Sequence, residues 1–184
     1  MLIIRTLAYA LRHNPTKFNL VLDAEGWASI DQLVDELRFV RYDWAFLDWT
    51  RIERTISGSD RFEVRGGKIR AAYGHTIELD SPPTIAEPPE LLYHGTAEEL
   101  MPQILATGLL PMQRRFAHLS SDLDWVVSFG ASKPAAVILR VLARDAHRRG
   151  VRFRQANRHV WLAEMIAPEF LQVECAGKVV ASCK

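Results

Sequence analysis

Four prolines crowd into residues 78–90, Glu-Leu-Asp-Ser-Pro-Pro-Thr-Ile-Ala-Glu-Pro-Pro-Glu, and no other stretch constrains the fold as tightly. Each proline locks its own φ, lacks a backbone N–H and pushes the residue before it out of the α region. Neither a helix nor a central strand can run through such a segment, so it is expected as an extended connector. It divides the chain into residues 1–77, a linker over 78–90, and residues 91–184. Both flanking parts are of small-domain size, and no internal repeat relates them.

The first part reads as three helices and a hairpin. Ile3, Ile4, Leu7, Ala10 and Leu11 recur at helical spacing until Pro15 forces an end after His13. Leu20-Val21-Leu22 is expected to be short and extended, with a turn at Asp23-Ala24-Glu25-Gly26. Ser29 and Gln32 form a capping box for a helix with Ile30, Leu33, Val34 and Leu37 on its inner face. A third helix is expected from Asp43 to Thr55. Arg61-Phe62-Glu63-Val64 and Lys68-Ile69-Arg70-Ala71-Ala72 then flank a Gly66-Gly67 turn as a two-stranded hairpin. Three helices plus a hairpin suggest a winged helix, which serves nucleic-acid binding and protein interaction alike.

The second part is β-rich, with strands expected at Leu91–Tyr93, Phe116–Leu119, Ala136–Val141, His159–Ala163 and Leu171–Glu174. Helices are expected at Ala97–Ala106, Asp122–Phe129 and Ala143–Arg149. This order fits an α+β domain.

Composition excludes several classes. Of 184 residues, 48% are hydrophobic and 24% charged, as in globular proteins that bury a core. No apolar stretch is long enough to span a bilayer. Met1–Arg5 lacks the layout of a secretory signal, so a cytoplasmic location is expected. The two cysteines, Cys175 and Cys183, read as free thiols, and no Cys/His pair has metal-ligand spacing. No dinucleotide-binding Gly-x-Gly-x-x-Gly, Walker loop or Gly-x-Ser-x-Gly elbow occurs. With a net charge of only +1, any contact with nucleic acid must come from local clusters.

Several groups can carry chemistry, each with a plainer alternative. Arg12-His13 ends the first helix, where it can grip a phosphate or merely cap the helix. Arg61, Arg65, Lys68 and Arg70 make a basic hairpin, suited to phosphate backbone or simply solvated. Tyr93-His94-Gly95-Thr96 is expected to end a strand in a turn that approaches a ligand closely. Arg114 and Arg115 precede His118-Leu119-Ser120. Arg144, His147, Arg148, Arg149, Arg152, Arg154 and Arg158 form the densest basic cluster, an RNA face, an NAD-phosphate contact or a surface helix. Trp27, Trp44 and Trp49 fall at core positions.

Taken in order, these segments resemble the RNA 2'-phosphotransferase family, whose fungal members complete tRNA splicing. The matching stretches are Leu11-Arg12-His13-Asn14-Pro15, Leu22-Asp23-Ala24-Glu25-Gly26-Trp27, Asp60-Arg61-Phe62 with Ile69-Arg70-Ala71, and Gly74-His75-Thr76. Leu92-Tyr93-His94-Gly95-Thr96, His118-Leu119-Ser120 and Val160-Trp161-Leu162 complete the set. The resemblance implies an α+β protein: an N-terminal winged-helix RNA lobe and a C-terminal ADP-ribosyltransferase-like mixed α/β lobe that binds NAD. It carries the family's Arg-His-Arg-Arg set onto Arg12, His13, Arg61 and Arg114. Arg114 is preferred to Arg115 because it stands four residues before His118, as the family's arginine does. NAD contacts map to His94, Gly95, Thr96 and Ser120, and no metal is implied. Asn14, Ala72-Tyr73 and Ala131-Ser132-Lys133 depart from the family pattern.

The activity so implied uses NAD as co-substrate and has two steps. The RNA 2'-phosphate displaces nicotinamide, giving a 2'-phospho-ADP-ribosylated RNA. The ribose 2''-hydroxyl then attacks that phosphate, releasing 2'-OH RNA and ADP-ribose 1'',2''-cyclic phosphate. The expected partners are an RNA bearing an internal 2'-phosphate and NAD, with no membrane and a monomeric chain. The rivals are an ADP-ribosyltransferase that caps terminal phosphates of nucleic acid and a non-catalytic winged-helix regulator.

Overall fold

A computed structural model describes residues 2–130 and 136–174. The chain forms two units, Met1–Pro82 and Pro83–Lys184. Cys175, Cys183 and the Ala131-Ser132-Lys133 departure lie outside the described residues.

In the first unit, helix α1 (Leu2–Arg12) buries Leu7, Ala10 and Leu11. Past Pro15 the chain makes a 3₁₀ turn over Thr16–Phe18 that ends with Asn19 in the left-handed region, φ 46°. The expected extended run at Leu20–Leu22 joins no ladder. The chain instead enters a tight turn, in which Asp23 Oδ1 accepts from the amides of Glu25 (3.2 Å) and Trp27 (2.9 Å). Strand β1 (Ala28–Ser29) and helix α2 (Ile30–Val40) follow, and Ser29 caps α2 through the Gln32 amide at 3.3 Å. The Gln32 side chain does not reach back to close the box; it donates to the Asn19 carbonyl at 2.7 Å.

The third helix is shorter than its apolar pattern predicts. Tyr42–Trp44 form only a 3₁₀ turn, and helix α3 spans Trp49–Ile56. Asp48 interrupts the run, because its carboxylate accepts from the Arg51 amide at 2.8 Å and so makes Asp48 an N-cap. Strands β2 (Phe62–Arg65) and β3 (Lys68–Ala71) form the hairpin, with Arg65 opposite Lys68. Gly66 and Gly67 occupy its turn at φ 55° and 73°, the two positive values a primed turn requires. Strand β1 adds to the free edge of β3, giving a three-stranded antiparallel sheet. Helices and sheet close over Leu7, Leu11, Leu33, Leu37, Leu47, Ile52 and Ile69, all fully buried.

In the second unit, six strands form one antiparallel sheet in the order β7-β8-β5-β4-β6-β9. They are β4 (Leu91–Ala97), β5 (Ala117–Ser120), β6 (Ala136–Leu142), β7 (Phe153–Gln155), β8 (Val160–Ala163) and β9 (Leu171–Glu174). Helices α4 (Met101–Thr107), α5 (Leu123–Gly130) and α6 (Ala143–Arg148) pack around it. Leu92, Leu139, Val141, Phe153 and Ile166 fill the core. Strand β4 continues to Ala97 opposite Ala136 of β6, so His94-Gly95-Thr96 lies inside a strand and not in the expected terminal turn. The ladder with β6 holds that stretch extended. Phe153–Gln155 is a strand that its three-residue length hides from periodicity.

The proline-rich stretch is tied down at both ends. The Ser81 amide bonds the Ala24 carbonyl at 2.8 Å within the first unit. Within the second, Ile85 bridges to Arg154, whose guanidinium donates to the Pro83 carbonyl at 2.8 Å.

Candidate active site

The last turn of α1 sets Arg12 and His13. The helix ends with the His13 and Asn14 amides both on the Tyr9 carbonyl, at 3.0 and 3.1 Å. The Arg12 guanidinium leaves this end with its carbon 5.2 Å from the Tyr73 ring centroid and 5.8 Å from that of Phe62. Its Nη2 donates to the Arg61 carbonyl at 3.4 Å. Gly74, at φ +87°, lies directly against it: a Cβ there would sit 3.3 Å from Nη1. The Arg61 guanidinium lies near enough to the Tyr73 hydroxyl to favour its ionised form. The first unit therefore gathers Arg12, His13 and Arg61 around one aromatic, glycine-lined corner.

The segment after β3 builds the back of that corner. The Thr76 and Ile77 amides donate to the Arg12 carbonyl at 3.0 and 3.4 Å, and Thr76 Oγ1 lies 3.1 Å from His13 Nδ1. Burial raises the Tyr73 phenol above its usual range, while the Arg12 and Arg61 charges pull the other way. Burial also draws His75 down to about 4, with the nearby Arg12, His13 and Arg70 charges acting in the same direction. His75 is thus a neutral imidazole, and its buried Nε2 has no hydrogen-bond partner among the described residues. Sequence reasoning assigned no role to Tyr73, Gly74 or Thr76. Gly74-His75-Thr76 stood among the matching segments, but only contacts distant in sequence reveal what they support.

In the second unit, His94, Thr96 and Arg114 line a cavity of about 390 Å³ with His118, Phe116 and Leu109. The period-two geometry of β4 puts His94 and Thr96 on one face. His94 donates from Nδ1 to the His118 carbonyl at 2.8 Å, which leaves Nε2 as its other functional nitrogen. Arg114 Nη1 donates to His118 Nδ1 at 3.1 Å. His118 therefore contacts two of the candidate residues, one through its backbone and one through its ring. Gly95 is not among the lining residues; a Cβ at this position would come 3.2 Å from Val126 Cγ1 of α5. Ser120, 1% exposed, also lies off the lining: its hydroxyl donates to the Asp122 carbonyl and accepts from the Asp122 amide.

The other basic groups find partners close by. Arg144 pairs with Glu87 (3.2 Å), Arg148 with Asp145 (3.3 Å), Arg149 with Glu169 (3.9 Å) and Arg152 with Glu164 (3.2 Å). On the hairpin, Lys68 pairs with Asp23 at 3.0 Å and Arg70 with Glu63 at 2.8 Å. Arg65 and Arg70 stack on buried Trp27, their guanidinium carbons 4.9 and 4.6 Å from its ring centroid. Of the seven basic residues between Arg144 and Arg158, four are thus committed to carboxylates of their own chain. Among the described residues no cluster of His, Cys, Asp and Glu can hold a metal, and no helix is long and apolar enough to cross a membrane.

An aromatic cradle for guanidinium and imidazole in one unit, and a histidine- and arginine-lined cavity in the other, fit an enzyme that handles phosphate. Comparison with known proteins gives the class. The family described as RNA 2'-phosphotransferase, Tpt1 / KptA matches residues 1–165. A probable RNA 2'-phosphotransferase of Acetivibrio thermocellus is 38% identical, over 92% of this chain and 94% of the relative. One of Bacillus thuringiensis is 37% identical over 92% of each chain, and one of Burkholderia lata 39% over 92% and 89%. The chain belongs to the RNA 2'-phosphotransferase, Tpt1 / KptA family, enzymes that remove a 2'-phosphate from RNA using NAD.

Proposed function

We propose that this chain binds NAD as co-substrate and transfers an internal RNA 2'-phosphate to it in two steps. On this reading the first unit is a winged-helix RNA lobe, a view supported by its three helices and small sheet. The second is an ADP-ribosyltransferase-like lobe whose cavity receives the nicotinamide–ribose half of NAD. The lining suits that ligand. Leu109, Leu110 and Phe116 offer apolar wall to a planar ring, and His94, Thr96 and Arg114 offer hydrogen bonds.

Arg12, His13 and Arg61 in the first unit and Arg114 in the second are assigned to the transferring phosphate. In the first step the 2'-phosphate oxygen forms a bond to the anomeric carbon as nicotinamide leaves. The leaving group is already cationic, so the protein's task is orientation rather than acid assistance. In the second step the 2''-hydroxyl loses its proton and attacks phosphorus, and the RNA 2'-oxygen leaves and gains a proton. Negative charge concentrates on the phosphoryl oxygens, where fixed guanidiniums stabilise it. His13 is the group suited to handle the proton.

The observation that carries this reading is the Arg12–Arg61 arrangement: two guanidinium-bearing residues joined through the Arg61 carbonyl at 3.4 Å beside an imidazole. The test is incubation with NAD and a short RNA bearing one internal 2'-phosphate. Release of ADP-ribose cyclic phosphate and 2'-OH RNA supports the proposal. A stable ADP-ribosylated RNA favours the capping chemistry instead, and RNA binding without NAD turnover favours a regulator.

A further inference from the structure

We propose that Lys17 forms a subsite for the phosphodiester on the 3'-oxygen of the phosphorylated ribose, with Tyr9 bracing its ammonium beside His13. The inference rests on the reading that His13 serves the 2'-phosphate, and it extends that reading to the neighbouring anion of the strand.

Charge is sharply sorted at this end of the chain. Residues 1–22 hold Arg5, Arg12 and Lys17 but none of the chain's acids, the first of which is Asp23. Basic side chains of the hairpin and of the Arg144–Arg158 run answer to carboxylates of their own chain, as Lys68 does to Asp23 and Arg148 to Asp145. Arg5 and Lys17 are exposed, and among the described residues neither has a carboxylate within ion-pair distance. Glu36 of α2 meets this stretch at Asn19, 3.3 Å from the side-chain amide, and not at Lys17.

Local chemistry sets where the Lys17 ammonium lies. Past the end of α1, Pro15 at φ −62° turns the chain into the Thr16–Phe18 3₁₀ turn. Asn14, one of the departures from the family pattern, holds that turn. Its Oδ1 accepts from Thr16 Oγ1 at 2.9 Å and from the Lys17 amide at 3.1 Å. Phe18 anchors the turn in the core, its ring edge-on to Tyr9 at 6.3 Å between centroids. Lys17 Nζ then lies 5.7 Å from the Tyr9 ring centroid, and the same ring is 5.9 Å from that of His13. One half-exposed aromatic ring thus has the ammonium and the imidazole as neighbours. Arg5, four residues before Tyr9, continues the cationic face along the helix.

The substrate supplies the matching pair. An internal 2'-phosphate always has a phosphodiester on the adjacent 3'-oxygen, so an RNA that places its monoester at His13 brings a second anion to the same surface. A lysine ammonium meets such a phosphate oxygen as a point charge on a flexible stem.

The test measures binding of two fluorescently labelled RNAs to the full chain by anisotropy across a range of salt. Both carry one internal 2'-phosphate; in the second, the phosphodiester on the adjacent 3'-oxygen is an uncharged methylphosphonate. The variants are Lys17→Gln, Lys17→Arg and Arg148→Gln, the last removing an equal charge from the partnered cluster. On the charged RNA, Lys17→Gln should bind severalfold more weakly. Its plot of log affinity against log salt should be shallower by ~0.7, the loss of one single-strand phosphate contact. Lys17→Arg and Arg148→Gln should match the wild type, and on the methylphosphonate RNA all four proteins should bind alike. A loss in Lys17→Gln that is equal on both RNAs, or shared by Arg148→Gln, overturns the subsite, as does no loss at all. A wild type that binds neither RNA overturns the subsite and the functional reading together. A wild type that binds with this Lys17 dependence yet releases no phosphate with NAD overturns the functional reading and leaves the subsite standing.

Discussion

The His94 ring donates to the backbone carbonyl of His118 at 2.8 Å, a bond that replaces part of the ladder between two neighbouring strands. β4 and β5 share only one register pair, Tyr93 with Ser120, whereas β4 pairs with β6 along its whole length. Past Tyr93 the two strands diverge, and a side chain satisfies a carbonyl that a backbone amide would otherwise reach. The cavity opens in this gap, lined by His94 and Thr96 from β4 and by Ala117 and His118 from β5.

Removing guanidiniums should separate the two chemical steps. Arg61→Ala and Arg114→Ala are expected to slow the second step most, by about 10²–10³-fold, as for loss of one preorganised charge-stabilising contact. ADP-ribosylated RNA should then accumulate, which gel separation of a single-turnover reaction detects. Disappearance of that species at the wild-type rate in both variants would refute the assignment.

Gly74 tests whether the seat of Arg12 matters. Gly74 and Gly58 both have positive φ, +87° and +76°, so alanine at either strains the backbone by about 1–2 kcal/mol. Only at Gly74 does the new Cβ meet a functional side chain, Arg12 Nη1 at 3.3 Å; at Gly58 nothing lies within 4 Å. Both variants should melt earlier, and only Gly74→Ala should lose kcat, by about 10-fold or more, as small misplacements of catalytic groups do. Equal kcat in the two would show that the guanidinium adjusts freely.

His75 should make stability depend on acidity. Its folded value of about 4 lies below the ordinary 6.5, so between these limits the unfolded chain binds a proton that the folded chain does not. Stability is therefore complete above pH 6.5 and is lost as pH falls towards 4, by on the order of 3 kcal/mol. Denaturant melts across this range should show a shallower dependence for His75→Gln than for wild type. Parallel curves would mean that His75 is not held neutral by the fold.

Gly95 separates packing from ligand approach. Alanine there meets Val126 Cγ1 at 3.2 Å and should cost about 1–3 kcal/mol, as overpacking does. Adding Val126→Ala should restore part of that loss, a coupling that a double-mutant cycle measures. Reduced NAD affinity with unchanged stability would show instead that the glycine makes room for the ligand.

What could be read in the sequence was mostly local. Pro15 ends α1, Ser29 caps α2 and Gly66-Gly67 turns the hairpin, each through chemistry within a few residues. The break at Asp48 was local too, yet Trp44, Leu47 and Ile52 keep helical spacing across it and masked the cap. Strand β1 and the far half of β4 depend on partners some 40 residues away, Lys68–Ile69 and Ala136–Ile138, so no local pattern marks them. For the candidate site, resemblance supplied the residue names. The contacts of Arg12 with Arg61, Tyr73, Gly74 and Thr76 span about 50–65 positions and emerge only from tertiary structure.

The carboxylates that neutralise Arg144, Arg148, Arg149 and Arg152 bear on selectivity. A surface whose outlying arginines are already answered from within has little pull on ordinary phosphodiesters, and the whole chain carries a net charge of only +1. On the proposed function, recognition would then fall to the 2'-phosphate, a doubly charged monoester, more than to the length of the RNA.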